Sequence, residues 1–222
     1  MSPPLAPIMQ LFWHGFSCVR IESTYGGQSA TLVTDPFDSE MGLKLPRTFN
    51  ADIAVLSHQD RKRFALDAFE NKPFVIADPG EYEVKGVFMF GESVAHEGDK
   101  AEHALAYRFE VEGMNIGFLG SLARGLTEAE SGKLENIDIL LLPVGGGDKI
   151  AAKQAIDIIN MIEPRLVVPL EHHVEGSKKT LATADAFCRE LGVCKRQDAN
   201  KLKISKKDLP ADEMIITVLE RA

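Results

Sequence analysis

Six histidines, three cysteines and a few clustered cations are the residues of this 222-residue chain most able to bind metal, attack a substrate or hold an anion. His172 and His173 follow an apolar run that reads as a strand, so either can meet a metal or a phosphate. Adjacent side chains on an extended segment point to opposite faces, so they do not serve one site together. His58 also follows an apolar run, where a hydrogen bond to backbone explains a lone histidine as well as ligation does. His14 and His103 have no motif partner. Gly145-Gly146-Gly147 leads into a helix start, a geometry that cradles anions. No Gly-Lys-Ser/Thr follows, which argues against nucleotide binding, and a tight turn with Asp148 as N-cap is the plainer reading. Cys18, Cys188 and Cys194 are an odd set without CxxC spacing. They suit neither a disulfide framework nor a zinc knuckle, and read as small buried hydrophobes in a reducing compartment. Cys18 has no base partner and is not a nucleophile candidate.

Composition narrows the function classes. The net charge is −8, from 33 acids against 25 bases. Phosphate backbones demand the opposite bias, so no nucleic-acid partner is expected, and Arg61 to Arg63 and Lys201 to Lys207 read as solvated faces. Hydrophobic residues make up 45%, ordinary for a packed core. No apolar run is long enough for a membrane span, so no membrane partner is expected. Met1 to Gln10 lacks a basic segment and carries three prolines, unlike a secretory signal. A cytoplasmic protein with one domain over residues 1–222 is the expectation.

These groups must be positioned by strands first and β-α units later. Short β-rich runs cover Gln10 to Trp13, Cys18 to Glu22 and Ala30 to Thr34, and Ile53 to Leu56 reads as a buried strand. Lys85-Gly86 and Glu112-Gly113 each separate two strand-like runs, Glu81 to Val84 from Val87 to Phe90 and Ala104 to Val111 from Asn115 to Leu119, and predict two hairpins. Thr127 with Glu130 gives a capping-box start to a helix reaching Leu134. Ile139 to Val144 and Leu166 to Leu170 are buried strands around an amphipathic helix, Ala151 to Glu163, that Pro164 ends. Leu181 to Leu191 is a helix stopped by Gly192, and Leu202 to Ile204 and Met214 to Leu219 close the chain as strands. Two sheets with helices packed outside follow from this order.

An ordered set of stretches resembles the metallo-β-lactamase superfamily, in the branch similar to L-ascorbate-6-phosphate lactonase. The set is Phe12-Trp13 with Ser17 to Ile21, Thr34-Asp35-Pro36-Phe37, Ala51-Asp52-Ile53 through Ser57-His58, and Pro79 to Gly86. Phe118-Leu119-Gly120, Asp138 to Gly146 and Val167-Val168-Pro169-Leu170 complete it. The resemblance implies an α/β fold, a four-layer αββα sandwich, with chemistry on loops at one edge.

The family's metal motif, Ser-His-x-His-x-Asp-His, reads here Ser57-His58-Gln59-Asp60-Arg61-Lys62-Arg63. By the resemblance, Asp60 stands for the second His, Lys62 for the Asp and Arg63 for the last His. His96 matches the third-motif His, Ser121 the bridging Asp, and Glu171 the final His, with His172 just beyond. Phe16 replaces the His of the family's Trp-Leu-Gly-His-Ser. Lys and Arg do not ligate a cation at neutral pH, so the resemblance implies loss of the usual two-metal centre. His58, Asp60 and His96 remain an acceptable set for at most one zinc, iron or manganese. Asp35 either caps its turn or orients His58 as a carboxylate behind a ligand. Lys62, Arg63, Ser121, Glu171 and His172 are the candidate anion-binding residues, with Lys62 or Arg63 expected to pair with Glu171. Two functions follow. One is a non-catalytic binding or assembly module with a small anionic ligand or a protein partner, able to form a homo-oligomer. The alternative is a one-metal hydrolase of a small anionic lactone or phosphoester.

Overall fold

The computed structural model describes residues 8–25, 27–94, 104–192, 195–196 and 200–222. The first half supplies β1 (Met9–Gly15), β2 (Cys18–Tyr25), β3 (Gln28–Thr34), β4 (Ile53–Val55) and β5 (Phe74–Ile76). It continues with β6 (Gly80–Val84), β7 (Val87–Val94), β8 (Ala104–Val111) and β9 (Met114–Phe118). The second half alternates α1 (Glu128–Ser131), β10 (Ile139–Pro143), α2 (Ala152–Ile162), β11 (Leu166–Leu170) and α3 (Ala184–Leu191), then β12 (Lys195–Arg196), β13 (Lys201–Ile204) and β14 (Ile215–Val218). One sheet runs β13-β1-β2-β3-β4-β5 and the other β12-β14-β11-β10-β9-β8-β7-β6.

The side-chain pattern explains why two sheets stack. Met9, Leu11, Trp13, Val19, Ile21, Leu32 and Val55 of one sheet join Met89, Phe109, Ile116, Leu141 and Val168 of the other in one inner core. Neighbouring residues face outward: Leu140, Leu142 and Val167 meet Ala155, Ile158 and Ile159 of α2 and Phe187 of α3. Strands buried on both faces read as continuous apolar runs, which is why β10 and β11 are legible without alternation. Over the first sheet the outer layer includes Phe16, Phe37, Leu43, Phe49 and Phe69, carried by loops between short 3-10 turns such as Ser39–Met41 and Leu66–Ala68. Two sheets flanked by helices are thus the architecture, with the helices on that side reduced to single turns.

Local chemistry sets the element ends. Lys85 (φ 52) with Gly86 (φ 77) and Glu112 (φ 53) with Gly113 (φ 73) are left-handed pairs, as two-residue hairpin turns require. Thr127 and Glu130 do form the capping box, but α1 spans only Glu128–Ser131. Asp148 does not cap α2. Gly146 and Gly147 (both φ 74) turn the chain first, and Gln154 reaches back to the Ala151 N–H at 3.2 Å. The helix before Gly192 begins at Ala184, capped by Thr183, not at Leu181. Cys188 is disulfide-bonded while Cys18 is free and buried, which corrects the expectation that no disulfide forms.

β10 and β11 are parallel neighbours, and their C-terminal ends come close enough to constrain a side chain. A Cβ added at Gly145 would lie 2.0 Å from the Glu171 carbonyl oxygen, a backbone atom that no rotamer change moves. Gly145→Ala is expected to destabilise the protein by about 3 kcal/mol, measured as a shift of the urea unfolding midpoint at unchanged slope.

Candidate functional site

Three strand ends meet at one edge of the sandwich, and each carries a non-glycine residue in left-handed backbone: Phe16 (φ 50) after β1, Asp35 (φ 36) after β3 and Glu171 (φ 50) after β11. Such backbone costs on the order of 1–3 kcal/mol per residue and gathers at functional sites. Two of them are tied directly. The Phe16 carbonyl accepts from the Glu171 N–H at 3.1 Å and from the Trp13 indole at 2.9 Å. All three line a cavity of about 220 Å³. Its lining mixes apolar residues, Phe16, Pro36, Phe37, Met41 and Phe64, with charged ones, Asp35, Arg63, Asp148, Lys149, Glu171 and Lys179.

Glu171 is held by two groups. Its Oε1 accepts from Ser17 Oγ at 3.1 Å and its Oε2 meets Lys179 Nζ at 3.3 Å. Lys179 also lies 3.5 Å from Asp148 Oδ1, and Lys149 lies 3.5 Å from Asp148 Oδ2. Burial alone would raise the Asp148 carboxyl, but the two ammonium groups hold it below its ordinary value. The pair expected between Glu171 and Lys62 or Arg63 is therefore made by Lys179. Arg63 lines the cavity, whereas Lys62 is exposed and lies outside the lining.

Asp35 is the deepest acid. Its Oδ1 accepts from the Ser57 N–H at 2.7 Å, and its Oδ2 lies 2.5 Å from Ser57 Oγ, which lies 2.6 Å from Ser121 Oγ. One hydroxyl proton cannot serve both contacts of Ser57. With Asp35 ionised, Ser57 donates to it and accepts from Ser121; with Asp35 protonated the chain runs the other way. Gly120 makes room for this: a Cβ there would sit 2.5 Å from Asp35 Oδ2. Asp35 thus neither caps its turn alone nor is seen to orient His58. Its partner is Ser57.

The remaining candidates separate. Buried His58 accepts the Asp60 N–H at Nδ1 over 3.0 Å. Asp60 itself is exposed, and its carboxylate caps the Arg61–Arg63 turn by accepting from the Lys62 N–H at 3.1 Å. His96 lies outside the described residues. His172 turns away from Glu171: its ring packs on Trp13 with centroids 4.3 Å apart and lines a different cavity with Arg221 and Thr183. Among the described residues no three His, Cys, Asp or Glu side chains gather as a metal set. Lys, Arg and Ser donors, with Glu171 already engaged by a cation, do not fit a two-metal centre. Lys149, Lys179, Ser17 and Ser57 were not among the candidates. Ser17 and Ser57 stood in the quoted motifs, but the lysines carry no local signal because loop folding alone brings them in.

Burial pushes the Asp35 carboxyl from its ordinary 3.8 up to about 7, against the Ser57 hydrogen bonds and Lys149, with Glu171 adding to the rise. Unfolded Asp35 loses its proton near pH 4 and folded Asp35 near pH 7. Between these the folded state holds the extra proton, so this group's contribution to stability falls as pH rises through that window. Asn mimics the protonated form. Wild type should lose on the order of 2 kcal/mol more than Asp35→Asn between pH 5 and pH 8, by urea unfolding at both pH values.

Comparisons with known proteins agree with this architecture. The sequence model of the Beta-lactamase superfamily domain matches residues 10–171. A relative from Thermoplasma acidophilum, named a metal-dependent hydrolase, is 22% identical over 195 residues, 74% of this chain and 84% of its own. A protein from Pyrococcus abyssi is 38% identical over only 55 residues, so the match spans 24% of that relative's length. A crystal structure from Thermotoga maritima, described as a Zn-dependent hydrolase of the metallo-β-lactamase superfamily, superposes with a TM-score of 0.77 at 29% identity. It covers 96% of this chain and 100% of that one. A metallo hydrolase from Ignicoccus hospitalis, at 17% identity and a TM-score of 0.64 over 83% of this chain and 91% of its own, shares the fold. Sheet order, core and matched residues together make this chain a member of the metallo-β-lactamase superfamily, with the fold of its metal-dependent hydrolases.

Proposed function

We propose that this protein is a hydrolase-like binding module that has lost the two-metal centre and uses the former metal cleft to hold a small anionic ligand. The observation that carries the reading is Lys179: its ammonium meets Glu171 at 3.3 Å and Asp148 at 3.5 Å inside the cavity, a fixed cation beside the position where the family places its final His. Lys149, whose side chain is 9% exposed, and Arg63 line the same cavity. Each ammonium group has three donors, and Lys149 and Lys179 use only some of them on Asp148 and Glu171. A bound anion accepts from the remaining donors and gains charge-assisted hydrogen bonds, each worth about 1.5–3 kcal/mol. The aromatic residues of the lining favour an acid with a carbon skeleton over a bare inorganic ion.

Two measurements test this. Elemental analysis of tag-free protein should find no stoichiometric zinc, iron or manganese. About one metal per chain, lost in a His58→Ala, His96→Ala double variant, would instead favour the one-metal hydrolase. Calorimetric titration with glutarate should show binding that Lys179→Ala weakens at least ~10-fold, the equivalent of about 1.4 kcal/mol. An unchanged affinity would reject the role given to Lys179.

A further inference from the structure

We infer that Ser121 is the nucleophile of a metal-independent acyl-transfer site, with Ser57 and Asp35 passing its proton, acting on carboxylic esters that carry an acidic tail. The inference rests on the cleft admitting a small anion and goes beyond binding. A hydroxyl becomes a useful nucleophile when a base lies within hydrogen-bond reach and a further group orients that base. Here Ser121 Oγ lies 2.6 Å from Ser57 Oγ, and Ser57 Oγ lies 2.5 Å from Asp35 Oδ2. The Ser57 N–H fixes the other carboxylate oxygen at 2.7 Å. Ser57 is fully buried, so no solvent competes for its single proton, while Ser121 and Asp35 both line the cavity. Ser121 sits on the tight turn after β9, closed by the Leu122 N–H on the Leu119 carbonyl at 3.1 Å.

The steps balance. Ser121 Oγ bonds to the acyl carbon as its proton passes to Ser57 Oγ and the proton of Ser57 passes to Asp35. The alcohol leaves with the proton returned along the same chain. Water then attacks the acyl-serine, gives its proton to the chain and releases the acid, regenerating the Ser121 hydroxyl. Lys149, Lys179 and Arg63 line the same cavity and can hold the acidic tail or the oxyanion. Ser121 is the catalytic residue, and Ser57 and Asp35 act through it.

The test is acylation of the whole protein by the p-nitrophenyl monoester of glutaric acid in excess EDTA, followed by intact mass and peptide mapping. One glutaryl adduct per chain at Ser121, with a matching burst of p-nitrophenolate, is the expected result. Ser121→Ala should lose it. Asp35→Asn keeps a side chain able to hydrogen-bond Ser57 but removes the base, so it should slow the burst at least ~100-fold, within the range of general-base effects. Mapping in wild type reads the site even if a variant fails to fold. No adduct, or an adduct only on Lys149 or Lys179, overturns the inference. Glutarate binding without an adduct overturns it and leaves the binding reading standing. Absence of both overturns the two together.

Discussion

A carboxyl group buried in a protein must be given hydrogen bonds or lose its charge, and Asp35 is subject to both pressures. It lies at the end of β3, between the two sheets' C-terminal edges, in backbone that its own side chain does not favour (φ 36). The N–H and hydroxyl of Ser57, at the end of β4, satisfy it, and Ser57 in turn fixes Ser121 after β9. One acid therefore connects loops from both sheets. The space left at Gly120, where a Cβ would strike the carboxylate at 2.5 Å, belongs to the same arrangement.

The sandwich beneath does not depend on this edge. Its inner core is built from β1 to β5, β7 to β11 and β13. Burial of those apolar side chains supplies the stability that holds three left-handed residues at the rim. Separation of this kind lets ligand positions change type while the fold persists, and fold similarity at a TM-score of 0.77 says little about which ion or substrate the edge holds.

Legibility in the sequence followed the range of the interactions. Hairpins at Lys85-Gly86 and Glu112-Gly113, the capping box at Thr127 and the buried runs of β10 and β11 depend on neighbours within a few residues, and they were readable. β5, three residues long, and β12, two residues long, carry too little pattern to be seen. Helix starts moved for a local reason as well: Gly146 and Gly147 turn before α2 can begin, and Thr183 rather than an earlier residue offers the capping oxygen for α3. At the site, the positions of Ser121, Glu171 and Asp35 were identified, but their partners were not. Glu171 meets Lys179 and Ser17, and Asp35 meets Ser57, because the β1–β2 turn and the loop beyond β11 fold over the same edge. Pairing across 154 residues, as between Ser17 and Glu171, leaves no trace in spacing.

The groups at this edge are electrically consistent with one another. A pair of divalent ions needs carboxylates and neutral imidazoles around it; a cleft with its own ammonium groups needs acids that accept hydrogen bonds and hydroxyls that bridge them. Glu171 is a carboxylate at 5% exposure, and Lys179 compensates it at 3.3 Å. Ser121 brings a hydroxyl to the chain that ends on Asp35, where a second carboxylate in low dielectric would repel the first. Lys179 with Glu171 and Asp148, and Asp35 with Ser57 and Ser121, give the buried acids their partners, which keeps this edge polar.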